Sequence, residues 1–300
     1  VSDRPDPRPP RRPGDGWVDC RCGARHWGQF GAAGLLAVRD AGSGPEIVLQ
    51  HRALWSHHGG TWGLPGGAVG PDESAVEGAV REAVEEVGLP PEAVRPRATW
   101  RLQHPDWAYT TVLAEAVAEF EPAVTDAESL ETRWVPVAGL ADLPLLPAFG
   151  ASLPDLRPLL GRRLVLVVDA ANTVGARPDG WWHDRRGATE RLRDELAALR
   201  TAGVPADAVG LPGDRWFPEV VLVVEGRARG VAPAGGVRVV EAAGSGDDAV
   251  VAQVRPDPGD HVVVVTADRE LRRRVEARGA RTAGPRLVLA GVSTSRPDVP

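Results

Sequence analysis

The sequence predicts an α/β chain of two domains. Its 300 residues exceed the usual single domain and fit about two. Apolar runs of strand length alternate with helical patterns through the second half of the chain. Those runs are continuous Val/Leu segments between amphipathic helices, which predicts a buried, mainly parallel sheet. With 43% hydrophobic and 25% charged residues, the composition is that of a globular chain able to build two cores.

Residues 1–16 are rich in Pro, Arg and Asp and are expected to be disordered. The first domain is expected over 17–160. Gly31–Arg39, Glu46–Arg52, Thr99–Gln103, Ala108–Ala118 and Thr132–Val137 read as its strands, and Leu153–Leu160 as a closing helix. Gly161-Arg162-Arg163 reads as the junction. The second domain is expected over 161–292, with strands at Leu164–Val168, Val220–Val224, Val237–Glu241, Val262–Thr266 and Leu287–Ala290. Helices are expected across Ala188–Leu199, after Asp248, and across Glu270–Ala277. The tail 293–300 is expected to be loose.

One helix can be argued in detail. Ser74 and Glu77 fit a capping box, in which each side chain bonds the other residue's backbone N–H. Gly88 fits the left-handed residue after the last turn, and Pro90 and Pro91 stop continuation. Val76, Ala79, Val80, Ala83, Val84 and Val87 recur at helical spacing as an apolar stripe. Glu82, Glu85 and Glu86 fall within an arc of about 100° on the other side. Like charges so placed repel by a few tenths of a kcal/mol per pair. A hard divalent cation would remove that repulsion; a solvated acidic face is the plain alternative.

The run from Gly67 through Glu73 to Arg81-Glu82-Ala83-Val84-Glu85-Glu86-Val87-Gly88-Leu89, preceded by Trp62-Gly63-Leu64-Pro65-Gly66-Gly67, resembles the Nudix box. The resemblance spans about Gly31 to Leu160. It implies an α/β/α sandwich with a mixed sheet and a MutT-like pyrophosphohydrolase that cleaves a nucleoside diphosphate linked to a further group. It also implies Glu82, Glu85 and Glu86 as ligands of Mg²⁺ or Mn²⁺, Arg81 as the partner of Glu73, and Gly66 and Gly67 as the loop that approaches the substrate. Glu131, before Trp134-Val135-Pro136, would be a late catalytic glutamate, or simply an exposed strand-edge carboxylate. Arg52 would reach a substrate phosphate, or lie on the surface.

The second half carries Asp169 and Asn172 after one strand, Asp247 and Asp248 at a helix start, and Asp268 after another strand. Residues just past the C-termini of parallel strands share one edge, where ligands bind. The segments Val167–Asn172, Gly246–Val250 and Val265–Leu271 resemble the NYN domains, relatives of PIN-type nucleases, and most of all the YacP branch. The resemblance spans about Leu164 to Ala290. It implies a metal site made by Asp169, Asp248 or Asp247, and Asp268, with Asn172 positioning phosphate or water, that would hydrolyse RNA. Glu225 departs from the aspartate usual there. The alternative is that these aspartates cap strand ends and helices.

Cys20, Cys22 and His26 are a third feature. Structural zinc wants four ligands, so a further donor such as His51, His57 or His58 would be needed. Free thiols are the alternative, and a disulfide between residues two apart would be strained.

The formal net charge of −6 argues against a general affinity for nucleic acid, though a local basic groove is compatible with it. No apolar run approaches the length of a membrane span, and the N-terminal stretch lacks the apolar centre of a signal peptide. The cytoplasm is therefore the expected location, and a nucleotide the expected partner. The reading is a two-domain hydrolase acting on the nucleotide pool. Two others stand beside it: an RNA-processing enzyme that trims 5′ ends and cuts internally, and a Nudix enzyme whose second half only binds RNA or protein.

Overall fold

A computed structural model describes residues 12–178, 180–255 and 257–289. The chain divides into two units, 1–160 and 161–300.

The first unit opens with a hairpin, β1 (Trp17–Asp19) against β2 (Arg25–Trp27). Its sheet is built from β3 (Ala32–Asp40), β4 (Pro45–Arg52), β5 (Trp62–Gly63), β6 (Gly66–Ala68), β7 (Val94–Gln103), β8 (Ala108–Ala116) and β9 (Ser129–Pro136). β3 lies parallel to β8 and antiparallel to β4 and β6, which makes the sheet mixed as expected. β9 pairs antiparallel with β4, with a register shift between His51 and Arg52.

Helix α1 (Ala75–Val87) lies on this sheet. The capping box forms: Ser74 Oγ accepts from the Glu77 N–H and Glu77 accepts from the Ser74 N–H. Gly88 ends the helix at φ 63°. Ala79, Ala83 and Val87 are buried in one core with Ala33, Leu35, Val48, Val112 and Trp134, and Val76 and Val80 pack at its edge. Val84 departs from the expected stripe and is exposed. Helix α2 (Pro147–Leu156) starts where the Leu146 N–H bonds the Trp62 carbonyl. It begins six residues before the expected helix, and 157–159 continue as a 3₁₀ turn.

The second unit contains a five-stranded, all-parallel sheet made of β10 (Arg163–Asp169), β13 (Glu219–Val224), β14 (Val237–Glu241), β15 (Asp260–Val265) and β16 (Arg281–Ala283). The order is β14-β13-β10-β15-β16. The short pair β11 (Val204–Pro205) and β12 (Arg215–Trp216) is antiparallel. The helices are α3 (Ala170–Gly175), α4 (Arg185–Ala202), α5 (Ala206–Val209), α6 (Gly246–Gln253), α7 (Arg269–Glu276) and α8 (Arg286–Leu289). Val167, Val221, Val223 and Val264 form one core with Val250 of α6 and Leu271 and Val275 of α7. α4 buries Leu192, Leu196 and Leu199, spaced as one helical face.

Two expectations are corrected. Residues 286–289 are helical rather than a strand, because Pro285 opens a turn in which its carbonyl accepts from the Val288 and Leu289 N–H groups. The fifth strand is the polar, three-residue β16. In the leading segment, Arg12 and Asp15 are held in a turn rather than free. Residues 1–11, Ala290 and the tail 293–300 lie outside the described residues. Among the described residues no helix is long and apolar enough to cross a membrane.

Candidate active site

Two of the box carboxylates, Glu82 and Glu86, lie against the glycine loop. Glu86 is 5% exposed, and its Oε2 accepts from the Gly66 N–H at 2.7 Å and from Gln50 Nε2 at 2.9 Å. Glu82 lies directly over Gly67: a Cβ there would sit 2.6 Å from Glu82 Oε1. The absence of a side chain at Gly67 is what lets strand and carboxylate approach. Arg81 binds Glu73 through two bonds, Nε to Oε1 at 2.7 Å and Nη2 to Oε2 at 3.0 Å. It also donates to Glu82 at 2.7 Å and to the Ala68 carbonyl at 2.9 Å. Glu73 in turn accepts from the Gly70 N–H. This pair therefore fastens the loop to the helix.

Burial and charge set the ionisation. Burial raises the Glu82 carboxyl above the ordinary range, against the pull of Arg81. Glu86 is raised well above it, first by burial and then by the Glu82 charge. Glu73 is lowered, chiefly by its bond to Arg81. Glu85 is bound by the Arg12 guanidinium at 2.7 and 2.6 Å, and Arg81 lies 3.5 Å away. The site thus groups hard oxygen donors whose charge Arg81 and Arg12 partly offset, with a side-chain-free approach at Gly67. That donor set suits a hard divalent cation, with Glu82, Glu85 and Glu86 as the residues that would hold it.

Arg52 is half-buried, donates to the His57 carbonyl at 3.1 Å, and acts on the charges of Asp126, Glu128 and Tyr109. Glu131 does not join the cluster. In the β4–β9 ladder it pairs with His51, whereas Gln50 pairs with Thr132. Adjacent strand residues face opposite sides, so Glu131 lies on the face away from Gln50 and Glu86. There it pairs with Arg133, whose guanidinium lies over Trp62. The acidic group that the β9 approach does bring near is Asp126, whose charge acts on Glu86. Its segment is tied to α1 by Ala123 N–H to the Val87 carbonyl and Thr125 Oγ1 to the Glu85 carbonyl. Gln50, Ser129 (whose hydroxyl donates to Gln50 at 2.7 Å), Tyr109, Asp126 and Arg12 are the site neighbours that the sequence reading missed.

In the second unit, Asp169, Asn172 and Asp268 meet at the C-terminal edge of β10 and β15, where the strand order reverses. Asp169 accepts from the Asn172 N–H at 3.1 Å and from Thr266 Oγ1 at 3.0 Å. Asn172 Oδ1 accepts from the Ala267 N–H at 2.7 Å. Asp268 accepts from the Leu271 N–H at 2.8 Å. Burial, then the charges of Asp247 and Glu225, raise Asp169; burial, then Asp268, raise Asp247. Asp248 instead pairs with Arg274, and Ser245 caps α6. Asp169 and Asp268 are also the N-caps of α3 and α7, so both the cap and the acidic-edge descriptions hold for them.

Residues 29–156 match the model of the NUDIX domain. A Mycobacterium tuberculosis protein described as "Putative 8-oxo-dGTP diphosphatase 3" is 50% identical over 155 residues, 49% of this chain and 70% of that protein. The "Nucleoside triphosphate pyrophosphatase/Nudix hydrolase fusion protein" of Bifidobacterium longum is 49% identical over 157 residues, 48% of this chain and 33% of that protein. The crystal structure of the Nudix hydrolase RenU from M. smegmatis is 45% identical, covering 49% of this chain and 94% of that one, with a TM-score of 0.45. The chain belongs to the Nudix hydrolase family. It spans about a third of the length of the Bifidobacterium relative, and the family match ends at residue 156.

Proposed function

We propose that the first unit is a divalent-metal-dependent nucleotide pyrophosphohydrolase that cleaves a nucleoside diphosphate-X substrate of the triphosphate type. The observation that carries this reading is the placement of Glu86 on the Gly66 N–H and of Glu82 over Gly67, with Arg81 and Glu73 bracing loop and helix and Glu85 beside Arg81. When bound, Mg²⁺ or Mn²⁺ supplies charge neutralisation for the diphosphate and acidifies water. The chain's own residues do the positioning. Gly66 and Gln50 hold Glu86 in one orientation. Arg81 holds Glu73 against the loop and shares Glu82. Gly67 keeps the approach open, and Arg52 offers a cation near the acidic 126–128 segment. In phosphoryl chemistry such positioning and charge stabilisation carry most of the rate.

The test is a panel of normal and oxidised nucleoside triphosphates, other nucleoside diphosphate derivatives and 5′-triphosphorylated RNA, with Mg²⁺ or Mn²⁺. Glu85→Gln is expected to lower kcat by about a hundredfold or more, since even outer residues of a metal site cost about 10–100-fold. Full turnover by Glu85→Gln on every substrate that the wild type cleaves would end the reading. The oxidised purine nucleotides have a place on the panel because of the description of the M. tuberculosis relative.

For the second unit the reading is an NYN/PIN-like, metal-dependent ribonuclease. It is supported by the meeting of Asp169, Asn172 and Asp268 at the reversal of strand order, with Asp247 close by. Asp169→Asn and Asp268→Asn should abolish RNA cleavage by the full chain and leave nucleotide turnover unchanged. RNA cutting that survives both changes, or no cutting by the wild type, leaves a noncatalytic module instead.

A further inference from the structure

We propose that Cys20, Cys22 and His26 form a zinc site at the tip of the β1–β2 hairpin. One ligand atom from each lies within 4.8 Å of the other two. Among the described residues, no other three Cys, His, Asp or Glu side chains bring their ligand atoms this close. Cys22 Sγ and His26 Nε2 are 3.2 Å apart. Both thiols are free, and two residues of separation disfavours a disulfide between them. Two sulfurs and an imidazole nitrogen form a soft-to-borderline donor set, which selects zinc over the hard cations suited to the box glutamates.

The backbone presents these groups without rearrangement. The Cys20 N–H bonds the Ala24 carbonyl and the Gly23 N–H bonds the Cys20 carbonyl, which folds the chain back so that both sulfurs lie on one turn. His26 is oriented by stacking on Trp107, with ring centroids 4.4 Å apart and planes 9° apart. Trp107 is itself fixed by its Nε1–H, which donates to the carbonyls of Trp27 and Gly28. A tetrahedral ion takes a fourth donor, and the turn between β7 and β8 is at hand. The His104 ring lies 4.3 Å from His26, and the Asp106 carboxylate accepts from Cys20. The histidines considered from sequence are engaged elsewhere: His51 stacks on Trp62, and His57 packs against Trp17 and His58. The hairpin is already joined to the β7–β8 turn by the Arg21–Asp106 ion pair, so the ion acts as a clamp on a formed structure. Binding would release the two thiol protons.

The experiment is metal analysis by mass spectrometry on the full chain, purified without a histidine tag and dialysed against a weak chelator. It is read beside the visible spectrum of the cobalt-substituted protein. Cys22 is exposed, so Cys22→Ser does not disturb the core; His26→Gln is the second variant, and circular dichroism verifies that both fold. The expected result is about one zinc per chain, with cobalt–thiolate absorption, and a fall of about tenfold or more in both variants. Wild-type protein that carries only traces of zinc and gives no cobalt–thiolate absorption overturns the proposal, as does a zinc content unchanged in the folded variants. Neither result depends on nucleotide turnover, so this site and the proposed hydrolase stand or fall separately.

Discussion

Gly67 and Glu82 show how closely the site is fitted. A methyl group at position 67 would lie 2.6 Å from the Glu82 carboxylate, so Gly67→Ala must displace either the loop or the carboxylate. A displacement approaching 1 Å can cost about a hundredfold in rate, and kinetics should show that loss largely in kcat, with the thermal midpoint little changed. Glu82 and Glu86 both contribute to the pH response. Their carboxyls are raised by burial, so each favours folding in its protonated form. That stability is complete below the ordinary glutamate range and is lost as pH rises through the elevated folded-state value. Metal-free protein should therefore lose thermal midpoint as pH climbs from acidic to neutral, and added Mg²⁺ should restore more at neutral pH than at acidic pH. A calorimetric scan with and without Mg²⁺ measures this directly, and equal restoration at both pH values would contradict it. The box glutamates were legible in the sequence because their spacing is local. Gln50 and Tyr109 were not, because ladder pairing and burial bring them to Glu86 from distant strands.

Helix α1 owes its start to Ser74 and Glu77. Ser74→Ala removes one cap bond and should cost about 1 kcal/mol, read by chemical denaturation, while turnover at saturating Mg²⁺ remains near wild type. Its cap and C-terminal glycine were readable because both motifs act through neighbours in sequence. Its inner face was readable less completely: Val84 joins the stripe by spacing, yet the sheet covers only the arc through Ala79, Ala83 and Val87. Strand parity was the harder problem. One irregularity between His51 and Arg52 shifts the β4–β9 register, and a shift of one residue exchanges faces. Glu131 lies before that shift, paired with His51 beside the inward-facing Gln50, and so is turned outward; past the shift, Asp126 is the carboxylate near Glu86. In the second unit, Leu287–Ala290 is a short apolar run whose periodicity suits strand or helix alike, and Pro285 decides for a turn.

Across the chain, the α/β class and the parallel sheet of the second unit follow from patterning, because fully buried strands require continuous Val and Leu. The order of those strands does not follow from patterning, since it depends on pairings between segments far apart in sequence. Arg163 of β10 bonds Asp260 of β15 across 97 positions. The first-made strand of this sheet is therefore its centre, and it gains its second neighbour only after β13 and β14 have been synthesised. On the ribosome, or in any fragment that stops before β15, Leu164–Val168 presents a bare apolar edge with unpaired amides, which is a template for self-association.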